Sequence, residues 1–144
     1  MNVPVPFISA IVAAILIILQ QSLMLNVGMH RAKTSIGVGV GNDNTLERKA
    51  RRHGNLAENA GLFIATLTIV ELRNAPSIII TVFGVIFVVC RILHAIGFSS
   101  LVGSHGPNLS SGNKIFIVMR AIGATGTALT GLALGGFLLF TIGA

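Results

Sequence analysis

The sequence predicts an all-α membrane protein, a four-transmembrane-helix bundle in which residues 1–144 form a single domain. Three observations carry that prediction. Hydrophobic residues make up 53% of the chain and charged residues 10%, with a mean hydropathy of +0.86, whereas soluble domains carry about 25% charged residues. The apolar residues fall into four runs, of which the first, third and fourth are near the ~20 residues that a helix needs to cross a ~30 Å hydrocarbon layer, and the second is shorter. Between the runs, charges, prolines and glycines collect in three polar stretches. The length suits one compact unit without a second domain. The formal charge of +6 comes from few residues, and one short basic cluster is no nucleic-acid surface. Nor does the chain hold a cluster with metal-ligand spacing.

The first span is expected over residues 4–28. Val5 to Val27 is uncharged, and Arg31 is the first charged side chain. No basic n-region precedes it and no small-x-small site follows, so it reads as a retained anchor. Pro4 and Pro6 suit a first helical turn. Gln20 and Gln21 are expected to face other helices, because an amide in lipid would go unpaired. Arg31 to Thr45 reads as a loop with alternate glycines and an Asn-Asp-Asn run. Gly37-x-Gly39-x-Gly41 is no phosphate loop, since neither a preceding strand nor a following Lys-Ser/Thr accompanies it.

The second span is expected over residues 47–72. Only twelve uncharged residues separate Glu58 from Glu71, too few to cross, so the membrane segment must begin near Arg51. Glu58 then lies ~10 Å along the helix from Arg51. Arg51, Asn55 and Glu58 fall at i, i+4 and i+7, a polar stripe on one helix face.

Arg73-Asn-Ala-Pro76 makes a tight turn into the third span, residues 76–98, which carries Arg91 and His94 near its far end. Its Cys90, the chain's one cysteine, reads as a buried inert thiol. Ser99 to Asn113 is the last loop. The fourth span, residues 113–142, begins at Lys114 and carries Arg120. Gly123, Gly126, Gly131 and Gly135 give it a close-packing face. Basic residues concentrate in the first loop and at Lys114, which predicts loops one and three in the cytoplasm and both termini outside.

By depth, Glu58, Arg91 and Arg120 share one layer below the cytoplasmic face, with Gln20 and Gln21 slightly deeper. A charge at that depth is costly unless it faces the interior and is paired. Two readings follow. A Glu58–Arg91 pair could simply lock the bundle. Alternatively the excess of arginine in the layer, with Lys114 nearby, calls for an anionic ligand such as a carboxylate or thiolate.

Arg51-x-x-x-Asn55-x-x-Glu58, Arg91-x-x-His94-x-x-Gly97-Phe98 and Arg120-Ala-Ile-Gly-x-x-Gly-Thr127 together resemble the MAPEG family, membrane-associated proteins in eicosanoid and glutathione metabolism. The His53-Gly-Asn55 form looks like its small bacterial branch, which implies a bacterial inner membrane. The resemblance implies a homotrimer with glutathione as co-substrate, held between subunits near the cytoplasmic face. It implies that Arg51, Asn55 and Glu58 bind the tripeptide, with His53 a further polar contact and Arg31 reaching it from the adjacent subunit. Arg120 would stabilise the thiolate, with Lys114 competing for that match. Arg91 and His94 would complete the site; His94 and Phe98 stand where eukaryotic members often carry tyrosines, and Ala60-Gly61 replaces a proline common after the glutamate.

The implied activity is a glutathione-dependent transferase or peroxidase acting on lipophilic small molecules drawn from membrane lipid. A guanidinium in a low-dielectric pocket favours the thiolate, which is the nucleophile. The alternative from another class is a non-enzymatic lipid- or partner-binding protein on the same scaffold. A channel or transporter is disfavoured, because the chain has no broken, ion-coordinating helix.

Overall fold

The computed structural model describes residues 5–100 and 114–143, which form four helices: α1 (Phe7–Thr34), α2 (Asn44–Leu72), α3 (Ser77–Gly97) and α4 (Lys114–Gly143). Pro4 and most of the expected last loop lie outside the described residues. Three of the helices, α1, α3 and α4, are long and apolar enough to cross a membrane. α2 carries most of its charge in its first half and does not meet that description, and its packing places it in the bundle. At one end of the bundle Asp43, before α2, meets His30 near the end of α1 at 2.7 Å. At the other, Glu71 of α2 accepts from the backbone N–H groups of Ile8 and Ser9 in α1 at 2.9 and 2.7 Å. The two helices therefore lie antiparallel from one end of the bundle to the other.

Three helix boundaries differ from expectation by three residues or more, and α1 begins at Phe7 rather than at residue 4. α1 runs six residues further, to Thr34, so Arg31 belongs to the helix rather than to the loop after it. Its Nη1 donates to the carbonyls of Ile36, Gly37 and Gly39 at 2.9–3.3 Å. That fold-back ties the following loop to the helix end, where a cation is also favoured by the helix dipole. Ser35 then stops the helix in the left-handed region, φ 56°. α2 begins three residues early, because the Asp43 carboxylate accepts from Thr45 N and Leu46 N. A capping aspartate fixes a start that hydrophobic periodicity cannot locate.

Glu71 does the same for α1. Pro6 offers no side-chain cap, and the first-turn amides are closed by a carboxylate from another helix, which also bonds Ser9 Oγ. Arg73 reaches the Thr141 carbonyl at the end of α4. The start of α1, the α2–α3 turn and the end of α4 are thus gathered at one end. Asn74 takes φ 60° in that turn, a conformation asparagine tolerates better than most residues.

The core is a column of Leu16, Leu67, Val70, Ile80, Phe87 and Leu134, all nearly inaccessible. Phe63 and Phe87 stack across α2 and α3 with ring centres 3.6 Å apart. α3 packs most extensively on α4, and glycine sets that approach. A Cβ at Gly123 would stand 2.6 Å from the Cys90 carbonyl and from His94 N, and one at Gly126 would strike Cys90 Sγ. Gly131 and Gly135 have open space instead. The glycine face is therefore half used within the chain, and Cys90 is buried as packing.

Candidate functional site

The polar stripe of α2 opens on a cleft of ≈ 440 Å³ lined by Val40, Glu47, Ala50, Arg51, Gly54, Asn55, Glu58 and Phe98. That volume lies within the range of small-molecule sites. Ala50 and Gly54 present no bulk there, so the charged residues stand around a hollow. Arg51 Nε donates to Glu47 Oε1 at 3.3 Å, one turn back. Periodicity could have found Glu47, which extends the Arg51–Asn55–Glu58 stripe by four residues.

Glu58 corrects one expectation. It is exposed on the protomer surface rather than turned into the bundle, and it makes no ion pair with Arg91 among the described residues. The reason is geometric: Leu56, Ala60 and Phe63 form the buried side of α2, and Glu58 falls outside that arc. Arg91, 2% exposed, pairs with neutral oxygens. Its Nη1 donates to Asn55 Oδ1 at 3.1 Å and to Asn55 O at 3.3 Å, and its Nη2 donates to Gly123 O at 3.3 Å. Arg91 therefore ties α2, α3 and α4 together instead of lining the cleft. A guanidinium can only donate, so the atom of Asn55 facing it must be the oxygen. The Asn55 amide nitrogen is left for the cleft.

His94, 4% exposed, packs its ring 4.9 Å from that of Phe98 and lies under Gly123. It is a packed helix-end histidine, and it does not line the cleft. Arg120 approaches from α4, with its guanidinium carbon 4.7 Å from the Phe98 ring centre. It reaches the cleft through that ring and does not itself line it. Lys114 is exposed at the first position of α4, and Arg31 is committed to its own loop. His53 turns away from Arg51 toward α1, where Gln20 Nε2 donates to its Nε2 at 2.7 Å. Gln20 is thus internal as expected, whereas Gln21 is exposed.

Gln20–His53, Asn55–Arg91–Gly123 and Phe98–Arg120 join all four helices in the charged half of the bundle, and Glu58 takes no part in that set. Within one chain the fold brings Arg51, Asn55 and Glu58 together and leaves Arg31, His53, Arg91, His94, Lys114 and Arg120 outside the lining of the cleft. Next to it, from Glu58 along α2 and α4 to Gly135, runs an apolar groove of ≈ 500 Å³. No metal-binding cluster of His, Cys, Asp and Glu exists among the described residues.

A helical bundle with three helices long and apolar enough to cross a membrane, carrying a charged cleft beside an apolar groove, defines an integral membrane protein. Residues 9–140 match the model of the MAPEG family, and the chain belongs to that family, which includes glutathione transferases and related proteins. No curated protein and no solved structure matches the chain.

Proposed function

We propose that the protein is a glutathione-dependent transferase or peroxidase for lipophilic electrophiles or hydroperoxides. The observation that carries this reading is the junction at Glu58, where the charged cleft meets the apolar groove. A zwitterionic tripeptide needs both signs of charge, and the cleft offers Arg51 for a carboxylate and Glu47 and Glu58 for an ammonium. The Asn55 amide, held by Arg91, adds an oriented donor. The groove would present the apolar substrate to the same point. The residues fit glutathione in chemical kind, and the family supports it.

The cleft is open on one protomer, and Gly131 and Gly135 leave α4 unfilled on the same side. A homotrimer would close both and would let Arg31 of an adjacent copy approach Arg51. Arg120 would favour the thiolate electrostatically, with Phe98 between it and the α2 stripe. We assign loops one and three to the cytoplasm and both termini to the outside, from the basic bias of the loops.

Detergent-purified protein titrated with glutathione should develop thiolate absorbance, and Arg120→Leu should lose most of it while binding weakens only modestly. No thiolate in the wild type, with glutathione bound, would favour the non-enzymatic binding reading. Thiolate formation undiminished in Arg120→Leu would move the role to Lys114.

A further inference from the structure

On the other side of α2 lies a second polar pocket, of ≈ 230 Å³, separated from the cleft by Phe98, which lines both. Its walls are Asn26 of α1, Thr45, Arg48, Lys49 and Arg52 of α2, and Ser99 after α3. Three positive side chains within five residues converge there, none with a carboxylate partner among the described residues. The chain has four acidic residues in all, and each is placed elsewhere. Asp43 bonds His30 and Glu47 bonds Arg51. Glu58 stands in the cleft, and Glu71 caps α1 at the far end. Among the described residues no acidic side chain is left to neutralise Arg48, Lys49 and Arg52.

The pocket is built rather than incidental. Arg48 is held by Nη1 donating to Ser99 O at 3.1 Å and Nη2 to Thr45 Oγ1 at 3.3 Å. Lys49 Nζ donates to His30 Nδ1 at 3.2 Å. Yet Arg48 Nε, Arg52 Nε and Asn26 Oδ1 are buried without a partner among the described residues. A buried donor left unmade costs about 1–3 kcal/mol, more when charged, so such a cluster in one small pocket calls for a guest with several acceptor oxygens. The Asn26 amide can turn to offer its nitrogen.

We propose that this pocket binds a phosphate group, a headgroup phosphate of an acidic lipid or a soluble phosphate, independently of the cleft that faces Arg51. Guanidinium forks match phosphate oxygens in pairs, and ≈ 230 Å³ holds a phosphate group together with part of a headgroup or several waters. The position favours the lipid source. Basic pockets between spans at a membrane surface suit acidic headgroups, and this one lies at the charged end of the bundle, level with the last turns of α1.

Lysine acylation read by mass spectrometry tests this on the full-length protein. Lys49 should be labelled several-fold more slowly in nanodiscs of phosphatidylcholine with phosphatidylglycerol than in phosphatidylcholine alone, while the exposed Lys33 is unaffected. In detergent, inorganic phosphate should slow Lys49 labelling relative to chloride at equal ionic strength if soluble phosphate is also a ligand. Arg48→Gln with Arg52→Gln should weaken the protection about tenfold or more and leave glutathione binding in the cleft intact. Protection in the lipid arm alone assigns the site to headgroups. The proposal is overturned if neither arm protects Lys49, if the double variant is protected as well as wild type, or if glutathione protects Lys49 and phosphate does not. The wild-type arms decide the matter even where the double variant fails to fold.

Discussion

Arg91 grips Asn55 twice, its Nη1 donating both to the side-chain oxygen at 3.1 Å and to the main-chain carbonyl at 3.3 Å. The same carbonyl also receives Asn59 Nδ2 at 2.8 Å. A residue expected at a ligand site is thereby oriented by a buried cation on another helix. Arg91→Lys keeps the charge but cannot span Asn55 and Gly123 together. We expect a loss of about 1–3 kcal/mol, measured as a lower unfolding midpoint in detergent, with weaker glutathione binding. An unchanged midpoint would remove Arg91 from the framework of the bundle.

Glu58 predicts the opposite pattern. It is exposed and unbonded within the protomer, so Glu58→Ala should change the stability of the dissociated protomer by no more than about 0.5 kcal/mol. Ligand binding should fall sharply, and Gly54→Leu, which fills the cleft from an open position, should do likewise. Calorimetry of unfolding beside glutathione titration separates the two effects. A large stability loss on Glu58→Ala would return Glu58 to the interior.

The contact between α3 and α4 depends on Gly97 of α3, against the Arg120 backbone, and on two glycines of α4 that differ in tolerance. Gly123→Ala meets backbone atoms of Cys90 and His94 at 2.6 Å, so the helices must part, at about 1–3 kcal/mol. Gly126→Ala meets only Cys90 Sγ, and Cys90→Ala should rescue it. Thermal midpoints of the single and double variants check this. Rescue of Gly123→Ala by Cys90→Ala would contradict the geometry.

The Asp43 carboxyl is held below the usual carboxylate range, first by its hydrogen bond with His30 and then by the backbone N–H of Leu46. Lys49 can only donate to His30 Nδ1, so His30 Nε2 carries the proton that Asp43 accepts. A depressed folded value means that Asp43 contributes stability above its unfolded pKa of about 3.9. The contribution is lost as pH falls through the lower folded value. Asp43→Asn should flatten the acid limb of unfolding midpoint against pH and leave the neutral region nearly parallel. An identical acid limb would mean that the pair does not act.

The bundle also fixes which loops share a side. Cysteines introduced at Asn44 and Ser77, both exposed, should label from opposite faces of sealed vesicles, with buried Cys90 silent. Labelling from one side would contradict the crossing of α2.

The sequence by itself determined four helices, the polar stripe Arg51–Asn55–Glu58 and the charged half of the bundle in which Arg91 and Arg120 lie. Those features rest on local chemistry: the length of an apolar run, the period of a helix and the cost of charge in lipid act on neighbours along the chain. It did not determine which way that stripe faces, because a 3.6-residue period defines a face without naming what covers it. Glu58 looked internal because charge in lipid demands a partner, yet Leu56, Ala60 and Phe63 occupy the inward side of α2. Only the tertiary structure paired Arg91 with Asn55 and Gly123, closed the start of α1 with Glu71 and left Arg48 and Arg52 without an acid. Each of those outcomes depends on residues 32 to 63 positions apart or on where every carboxylate in the chain has gone, and such facts exist only once the helices are packed.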